Sequence, residues 1–457
     1  MAQAFFGGVH PHDMKAATNE KAIEQLAPPA VVVIPMSMHF GAPCTPLVKA
    51  GDHVKVGQKI GEFHGLGAPI HASVSGTVKA VEPRPYSMGG NITSVVIEND
   101  MQDEVSEELQ APADPNALSV EEMVEIVKNA GIVGMGGATF PTHVKITSGI
   151  GKVNTVIING AECEPYITGD HRTMLERPEE IIGGAKFLAK MFGVDKVVIG
   201  VEDNKRNGID AMNKVIAEQK APVGVEPLRC RYPQGGEKQL CQAITGRQVP
   251  PGGLPADIGC AVFNINTTCA IYRALTTGMP VVRKIVTVSG SGVVEPKNLE
   301  CPIGTPVSSL LDACGGLKDG TYKLIAGGPM MGMAQYTADI SVAKGTGAIL
   351  AFCENEEKTV ENPQCIRCGK CVSVCPMHLE PLFMYQYASK GMVEELNDAH
   401  IMDCMECGAC SYICPARMHL THMFKTGKQL VKDKAAADRA AAEAKKKAEE
   451  AKEAAAK

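Results

Sequence analysis

Eight of the seventeen cysteines in this chain fall into two copies of one spacing, and that repeat constrains the fold more than any other feature. Cys365, Cys368, Cys371 and Cys375 read C-x2-C-x2-C-x3-C-P. Cys404, Cys407, Cys410 and Cys414 repeat the pattern 39 residues later, and Pro376 and Pro415 close the two copies. Thiolates at this spacing wrap a tetranuclear iron–sulfur cluster, the fourth cysteine of each run ligating the other cluster. Cys365, Cys368, Cys371 and Cys414 are therefore assigned to one 4Fe–4S cluster, and Cys404, Cys407, Cys410 and Cys375 to a second. A pair of structural zinc sites needs only two close cysteine pairs each. Zinc leaves the third cysteine and the cysteine–proline of each copy unexplained, so the spacing predicts electron transfer. Arg367 and Lys370 lie inside the first run, whereas Asp403 and Glu406 flank or enter the second. Positive charge favours the reduced cluster, which predicts the higher potential for the Cys365 cluster.

A length of 457 residues predicts several domains. A net charge of −6 with no long basic run outside the tail argues against nucleic acid as a partner. No stretch approaches the roughly 18 to 20 apolar residues needed to cross a bilayer. The start, MAQAFFGGVHPHD, lacks the basic and apolar segments of a secretory signal. With clustered cysteines, this predicts a reducing, cytoplasmic setting without disulfides.

Residues 31–110 are short β-like runs punctuated by glycine, followed by an acidic linker over 101–116. SVEEMVEIVKNAG (119–131) predicts a helix opened by Ser119, with Glu122 three residues on, and closed by Gly131. VNTVIIN (153–159) reads as a buried strand, PEEIIGGAKFLAKMFG as a helix, KVVIGVED as a strand, and 205–219 as another helix. Such alternation implies a largely parallel sheet covered by helices. Residues 281–326 return to short strands around one helix, VSSLLDACGG. From 429 onward an alanine- and lysine-rich tail predicts a solvated helix or a disordered segment with no chemistry.

GMGGATFPTHVK (134–145) follows a helix, so it does not meet the strand, G-x-G-x-x-G, helix order of a dinucleotide fingerprint. Clustered glycines still let backbone N–H groups approach a phosphate or a flat ring, with Lys145 as a nearby charge. A plain glycine turn is the alternative. The strand VNTVIIN runs into NGAECEPYITGDHRTM (159–174), which gathers Asn159, Glu162, Glu164 and Asp170. Ligands of open α/β sheets sit at the carboxyl ends of strands. Several carboxylates there suit hydroxyl-rich groups, such as a ribose or a ribityl chain, and would repel a bare polyphosphate. YPQGGEKQL (232–240) is a second glycine turn opening a helix, and VFNINTT (262–268) sets polar side chains after an apolar strand.

These residues carry a resemblance. VKAGDHVKVGQKIGEF with IHASVSGTVKAV is similar to the barrel-sandwich hybrid of biotinyl and lipoyl domains, although HGLGAPIHAS offers no lysine for a carried cofactor. GMGGATFPTHVK resembles the GRGGAGFPTGxKW loop of the flavin-bearing, NADH-oxidising subunit of respiratory complex I. NGAECEPYITGD resembles that subunit's N-x-D-E-x-E-P-G-x-x-x-D segment, PQGGEK its GEE turn and FNINT its NNVET. With the start FFGGVHPHDMKAAT and the dicluster end, residues 5–420 resemble the C subunit of the Rnf ion-translocating electron transport complex.

The resemblance implies a multidomain α/β chain. Its parts would be a barrel-sandwich hybrid (1–115), a Rossmann-like FMN/NADH domain (116–278) and a β-grasp, SLBB-like module (279–345). A ferredoxin-type dicluster domain (355–422) and a helical or disordered tail (423–457) would follow. FMN would lie against Gly134, Gly136, Gly137, Lys145, Asn159, Asp170, Asn264, Asn266 and Thr267. Phe140 would stack on the NADH adenine, and Glu162, Glu164 and Glu237 would be the catalytic carboxylates facing the nicotinamide ribose or ring. The chain departs from the complex I pattern at Met135, where that loop has arginine, and at Phe263 and Asn266, where NNVET has asparagine and glutamate.

The implied role is a peripheral, NADH-dependent oxidoreductase subunit on the cytoplasmic face of the bacterial inner membrane. It would pass electrons between NADH and ferredoxin through FMN and two 4Fe–4S clusters, coupled to Na+ or H+ movement. Its partners would be the other Rnf subunits, a ferredoxin-like iron–sulfur subunit among them. Two alternatives remain: a cobalamin reductase-like flavin and iron–sulfur protein, and a passive dicluster electron carrier that binds neither FMN nor NADH.

Overall fold

The computed structural model describes residues 5–354 and 360–455, with side chains as far as 447. The expected start of the dicluster segment at 355 and the last residues of the tail lie outside the described residues. The chain divides into two compact units. One runs from His10 through the first described stretch; the other joins Phe5–Val9 to the residues from 360 onward.

The first unit begins with the expected barrel-sandwich hybrid. One sheet orders the strands Val31–Pro35, Asn91–Asn99, Gly76–Pro85 and His53–Val54, and a second orders Thr45–Pro46, Lys59–Glu62 and Ile70–His71. Alternate residues such as Val32, Ile34, Val95 and Ile97 point inward and are fully buried. At about 1.5–3 kcal/mol per buried aliphatic side chain, this face holds the small sheets together.

Four parallel strands form the next layer, in the order Val223–Leu228, Val197–Glu202, Thr155–Gly160, Cys260–Asn264. Helices Val120–Asn129, Pro178–Phe192, Arg206–Gln219 and Ile265–Thr277 belong to this layer. The first opens with the capping box that the sequence predicts: Glu122 N donates to Ser119 Oγ at 3.2 Å and Ser119 N to the Glu122 carboxylate at 2.7 Å. Such a cap stabilises a helix by about 1 kcal/mol. The order reverses between Thr155–Gly160 and Cys260–Asn264, with Asn159 paired in register to Asn264. A crevice opens at the carboxyl ends of strands where such a reversal occurs.

The β-grasp module is wider than its local sequence predicts. Its sheet runs Ile23–Gln25, Lys297–Pro302, Arg283–Ser289, Ala348–Cys353, Thr321–Ala326, Met333–Gln335, around helix Val307–Ala313. An N-terminal strand and the strand at 348–353 thus flank or complete a sheet whose local sequence spans only 281–326.

In the second unit the 39-residue repeat is visible in the backbone. Arg367 and Glu406 both have positive φ (56° and 57°), as do Gly369 and Gly408 (75° and 79°) and His378 and Arg417 (56° and 54°). The amides of Arg367 and Glu406 donate to Cys365 and Cys404 Sγ at 3.3 and 3.4 Å. The FFGGV start belongs here as well. A Cβ on Gly7 (φ 76°) would lie 2.7 Å from the Val374 carbonyl oxygen, and Gly8 N donates to that oxygen at 2.8 Å. Backbone therefore packs on backbone beside Cys375, which only glycine permits. The tail is helical from Leu420 to Ala455, and its first turns are not idle: Phe424 and Val431 are buried. Among the described residues no helix is long and apolar enough to cross a membrane.

Candidate functional site

The strand-order reversal brings together most of the residues singled out in the sequence. Asn264 ends its strand and caps the helix that follows, its side-chain oxygen Oδ1 accepting from Asn266 N at 2.9 Å and Thr267 N at 3.4 Å. The cap aims both asparagine amides at Asp170, whose oxygens accept from Asn264 Nδ2 at 2.7 Å and Asn266 Nδ2 at 2.5 Å. Thr267 Oγ1 donates to Val133 O at 3.2 Å and accepts from Met135 N at 2.9 Å, so the same helix start anchors the glycine loop. Gly134 N donates to Phe140 O at 2.9 Å, closing that loop. A Cβ on Gly136 would lie 2.8 Å from Asn264 Nδ2, whereas one on Gly137 would meet nothing within 4 Å. Gly136 therefore packs on the Asn264 amide, which with Asn266 holds Asp170, while Gly137 beside it is exposed and open. That donor and acceptor set fits a flat ring with a polyol chain, as FMN has.

Lys145 Nζ is held by Glu237 at 2.7 Å and Val262 O at 3.0 Å, and lies 5.8 Å from the centre of the Phe263 ring. Asn159 braces the second glycine turn through Gly235 O at 2.9 Å. Phe140 is half-buried, and the exposed Phe40 of the barrel lies against it with centroids 5.9 Å apart. Phe40 N donates to Thr139 O at 3.0 Å.

The three expected catalytic carboxylates differ in setting. Glu237 is 41 % exposed and borders open space. Glu162 is buried and accepts from the amides of Asp170 at 2.6 Å and His171 at 3.3 Å, with Lys15 Nζ at 3.9 Å. Glu164 accepts from the amides of Met330 and Met331 at 3.1 and 3.0 Å. The last two therefore face protein backbone. Glu162 (φ 40°) and Tyr166 (φ 69°) sit in the left-handed region that non-glycine residues avoid. Two buried lysines hold this strained loop, and neither was singled out in the sequence. Lys15 donates to the carbonyls of Glu162, Glu164 and Ile167, and Lys205 to Ala161 O at 3.0 Å while paired with Glu202 at 2.9 Å. Lys15 lies in the conspicuous HPHDMKAAT start, the one sequence signal that could have pointed to it.

Burial pushes Glu164 up to about 7, against the Met330 and Met331 amides and the Lys15 charge, which pull it down. The folded protein keeps a proton there that the unfolded chain releases near the ordinary 4.5. Its contribution to stability is full below that pH and is lost as pH rises towards 7. Glu164→Gln removes this dependence. The melting temperature of E164Q minus that of wild type should therefore climb between about pH 4.5 and 7; a difference that stays flat across that window would refute the assignment.

In the second unit, Cys375, Cys404, Cys407 and Cys410 line one largely apolar cavity closed by Met384 and Phe424. Burial raises the Cys404 and Cys407 thiols to about 11 and 12, and the neighbouring Cys375 adds to both. Burial likewise raises Cys371, with Cys365 and Cys414 adding to it. The side chains are thus sorted across the repeat, Cys414 with the first run and Cys375 with the second. Among the described residues no three such side chains close around a single ion. Four thiols spread around a cavity fit a polynuclear cluster, which would also deprotonate them. Lys428, from the tail helix, lies 2.7 Å from Glu406 and donates to Cys404 O at 2.5 Å. It compensates the acidic loop, so the expected potential difference loses much of its electrostatic basis.

Family models match in the same order as these modules. They are the RnfC barrel sandwich hybrid domain (residues 3–102), the Nuo51 FMN-binding domain (127–273), the SLBB domain (285–334) and the 4Fe-4S dicluster domain (357–415). The chain is 45 % identical over 401 residues to the C subunit of the Na+-translocating ferredoxin:NAD+ oxidoreductase complex of Acetobacterium woodii, covering 87 % of this chain and 90 % of that one. It is 43 % identical over 402 residues to the C subunit of the proton-translocating ferredoxin:NAD+ oxidoreductase complex of Clostridium ljungdahlii, covering 88 % of each. With the C subunit of the ion-translocating oxidoreductase complex of Rhodobacter capsulatus it shares 41 % identity, covering 82 % of this chain and 73 % of that one.

Proposed function

Because this chain belongs to the family of C subunits of ion-translocating ferredoxin:NAD+ oxidoreductase (Rnf) complexes, we propose that it binds FMN and NADH at the glycine-edge crevice. It exchanges electrons between that site and two 4Fe–4S clusters. The observation that carries this reading is the exposed Gly136–Gly137 edge packed on Asn264, which with Asn266 holds Asp170, where the strand order reverses.

Bound FMN supplies the exchange of electron pairs with NADH and of single electrons with the clusters. The chain's residues do the rest. Backbone at Gly134, Gly136 and Gly137 admits the flat ring, and Asp170, held by Asn264 and Asn266, accepts from ribityl hydroxyls. Thr267 and Asn159 fix the two glycine turns, and Lys145 places Glu237 at the rim. Of the three carboxylates, Glu237 is the one that meets the nicotinamide ribose. Glu162 and Glu164 are struts that hold the loop carrying Asp170. Phe140, backed by Phe40, offers its ring to the adenine. Cys365, Cys368, Cys371 and Cys414 hold one cluster, and Cys404, Cys407, Cys410 and Cys375 the other.

The subunit docks peripherally on the cytoplasmic face of the bacterial inner membrane and meets the remaining Rnf subunits, a ferredoxin-like one among them. Relatives named for Na+ and for protons are similarly close, so the coupled ion is Na+ or H+ on this reading.

The test is to purify the chain anaerobically, restore FMN and iron–sulfur clusters, and add NADH while recording visible absorbance and EPR. Flavin bleaching followed by two reduced-cluster signals is expected. Phe140→Ala should weaken NADH binding by about tenfold, the worth of one aromatic stack, while leaving FMN content unchanged. Clusters reducible by dithionite in a protein that retains no FMN and ignores NADH would leave only a passive carrier.

A further inference from the structure

The buried lysines of the first unit are well satisfied, with one exception. Lys15 reaches three carbonyls, Lys205 a carboxylate, a carbonyl and Asn204, and Lys344 two carbonyls at 2.7 Å each. Lys284 is 4 % exposed, and its ammonium makes one long hydrogen bond, 3.5 Å to Met135 O. Asp170 acts on it through charge, but that carboxylate is already engaged by Asn264 and Asn266. Three donors with one marginal acceptor, out of water, are costly unless an anion completes the site. That anion must come from the side of Met135 and Asp170, which is the glycine edge. The loop Gly134-Met135-Gly136-Gly137 brings no cation of its own. Lys284 comes instead from strand Arg283–Ser289 of the β-grasp sheet, a module separate from the nucleotide fold.

We propose that Lys284 is a flavin-positioning residue, the β-grasp sheet's cation for negative charge on bound FMN. The inference rests on the FMN reading of the crevice. Two parts of FMN carry such charge, the phosphate and the ring once reduced, and the experiment separates them.

Full-length wild type and Lys284→Met are prepared without flavin, and FMN and riboflavin are titrated in by fluorescence quenching. Bound flavin is then titrated redoxically. If the lysine meets the phosphate, K284M binds FMN at least about tenfold more weakly while riboflavin is unaffected, as loss of a charge-assisted contact requires. If it meets the reduced ring, oxidised FMN binds as before and reduced FMN binds about tenfold more weakly, so the flavin potential falls. Lys284→Arg should recover part of either loss. Flavin-free K284M should melt at or above wild type, because a poorly partnered buried charge is gone.

K284M matching wild type for FMN in both oxidation states would overturn the proposal. So would a flavin-free K284M that melts below wild type, since the lysine would then serve packing. Wild type that binds no flavin would remove the FMN reading and this inference with it. Wild-type binding with an indifferent K284M removes this inference alone.

Discussion

Cys414→Ser should strip the cluster held by Cys365, Cys368 and Cys371 and leave the cluster of its own run in place. About four of roughly eight irons per chain would be lost, and one of two EPR signals would remain. The expectation rests on the sorting of the thiols: Cys365 and Cys414 both act on Cys371, whereas Cys375 acts on Cys404, Cys407 and Cys410. Cys375→Ser should give the mirror result. Serine keeps the size of the side chain but is a poorer ligand for iron, so the loss reports ligation more than packing. Its position suits the experiment, because Cys414 is only half-buried and Phe424, Met384 and Leu396 supply the unit's core. Iron missing from the Cys404 cluster in C414S would show that each run closes on itself.

Asp170→Ala should abolish FMN retention. Its carboxylate is half-buried and is the shared acceptor for Asn264 and Asn266, so alanine orphans two amides and deprives Lys284 of a counter-charge. Each orphaned buried group costs about 1–3 kcal/mol, so the melting temperature should fall as well. Burial raises Asp170 above the usual carboxylate range, and Lys284 with the two asparagine amides pulls it back. Asp170→Asn is expected to do little better, because its NH2 would point a donor at donors. FMN content by absorbance after gel filtration and a melting curve measure both effects. D170A that carries a full complement of FMN would remove Asp170 from the site.

Much of this was legible because the signals are local. Cluster ligands lie within two short runs, the capping box at Ser119 and Glu122 spans one turn, and buried strands such as VNTVIIN show as apolar runs. Even the glycines of the FFGGV start were conspicuous, although their reason, close backbone contact with Val374, was not. The tail is helical, as one of its two expected readings had it, but its first turns carry Phe424 and Val431 into the core before the composition turns to alanine and lysine. Lys428 sits between the two, and its effect on the Cys404 loop is set by a fold-back that no local pattern encodes.

By itself the sequence determined which residue types are available: two sets of cluster thiolates, a glycine edge at 134–137, and carboxylates and amides at 159–170 and 264–267. Only the tertiary structure decided what each does. Glu162, Glu164 and Glu237 look alike along the chain, yet two face backbone amides and one faces open space. Whether a carboxylate is a strut or a ligand depends on its burial and its partners. Those partners come from residues 15, 170, 330 and 331, which meet only when barrel, sheet and β-grasp module pack together.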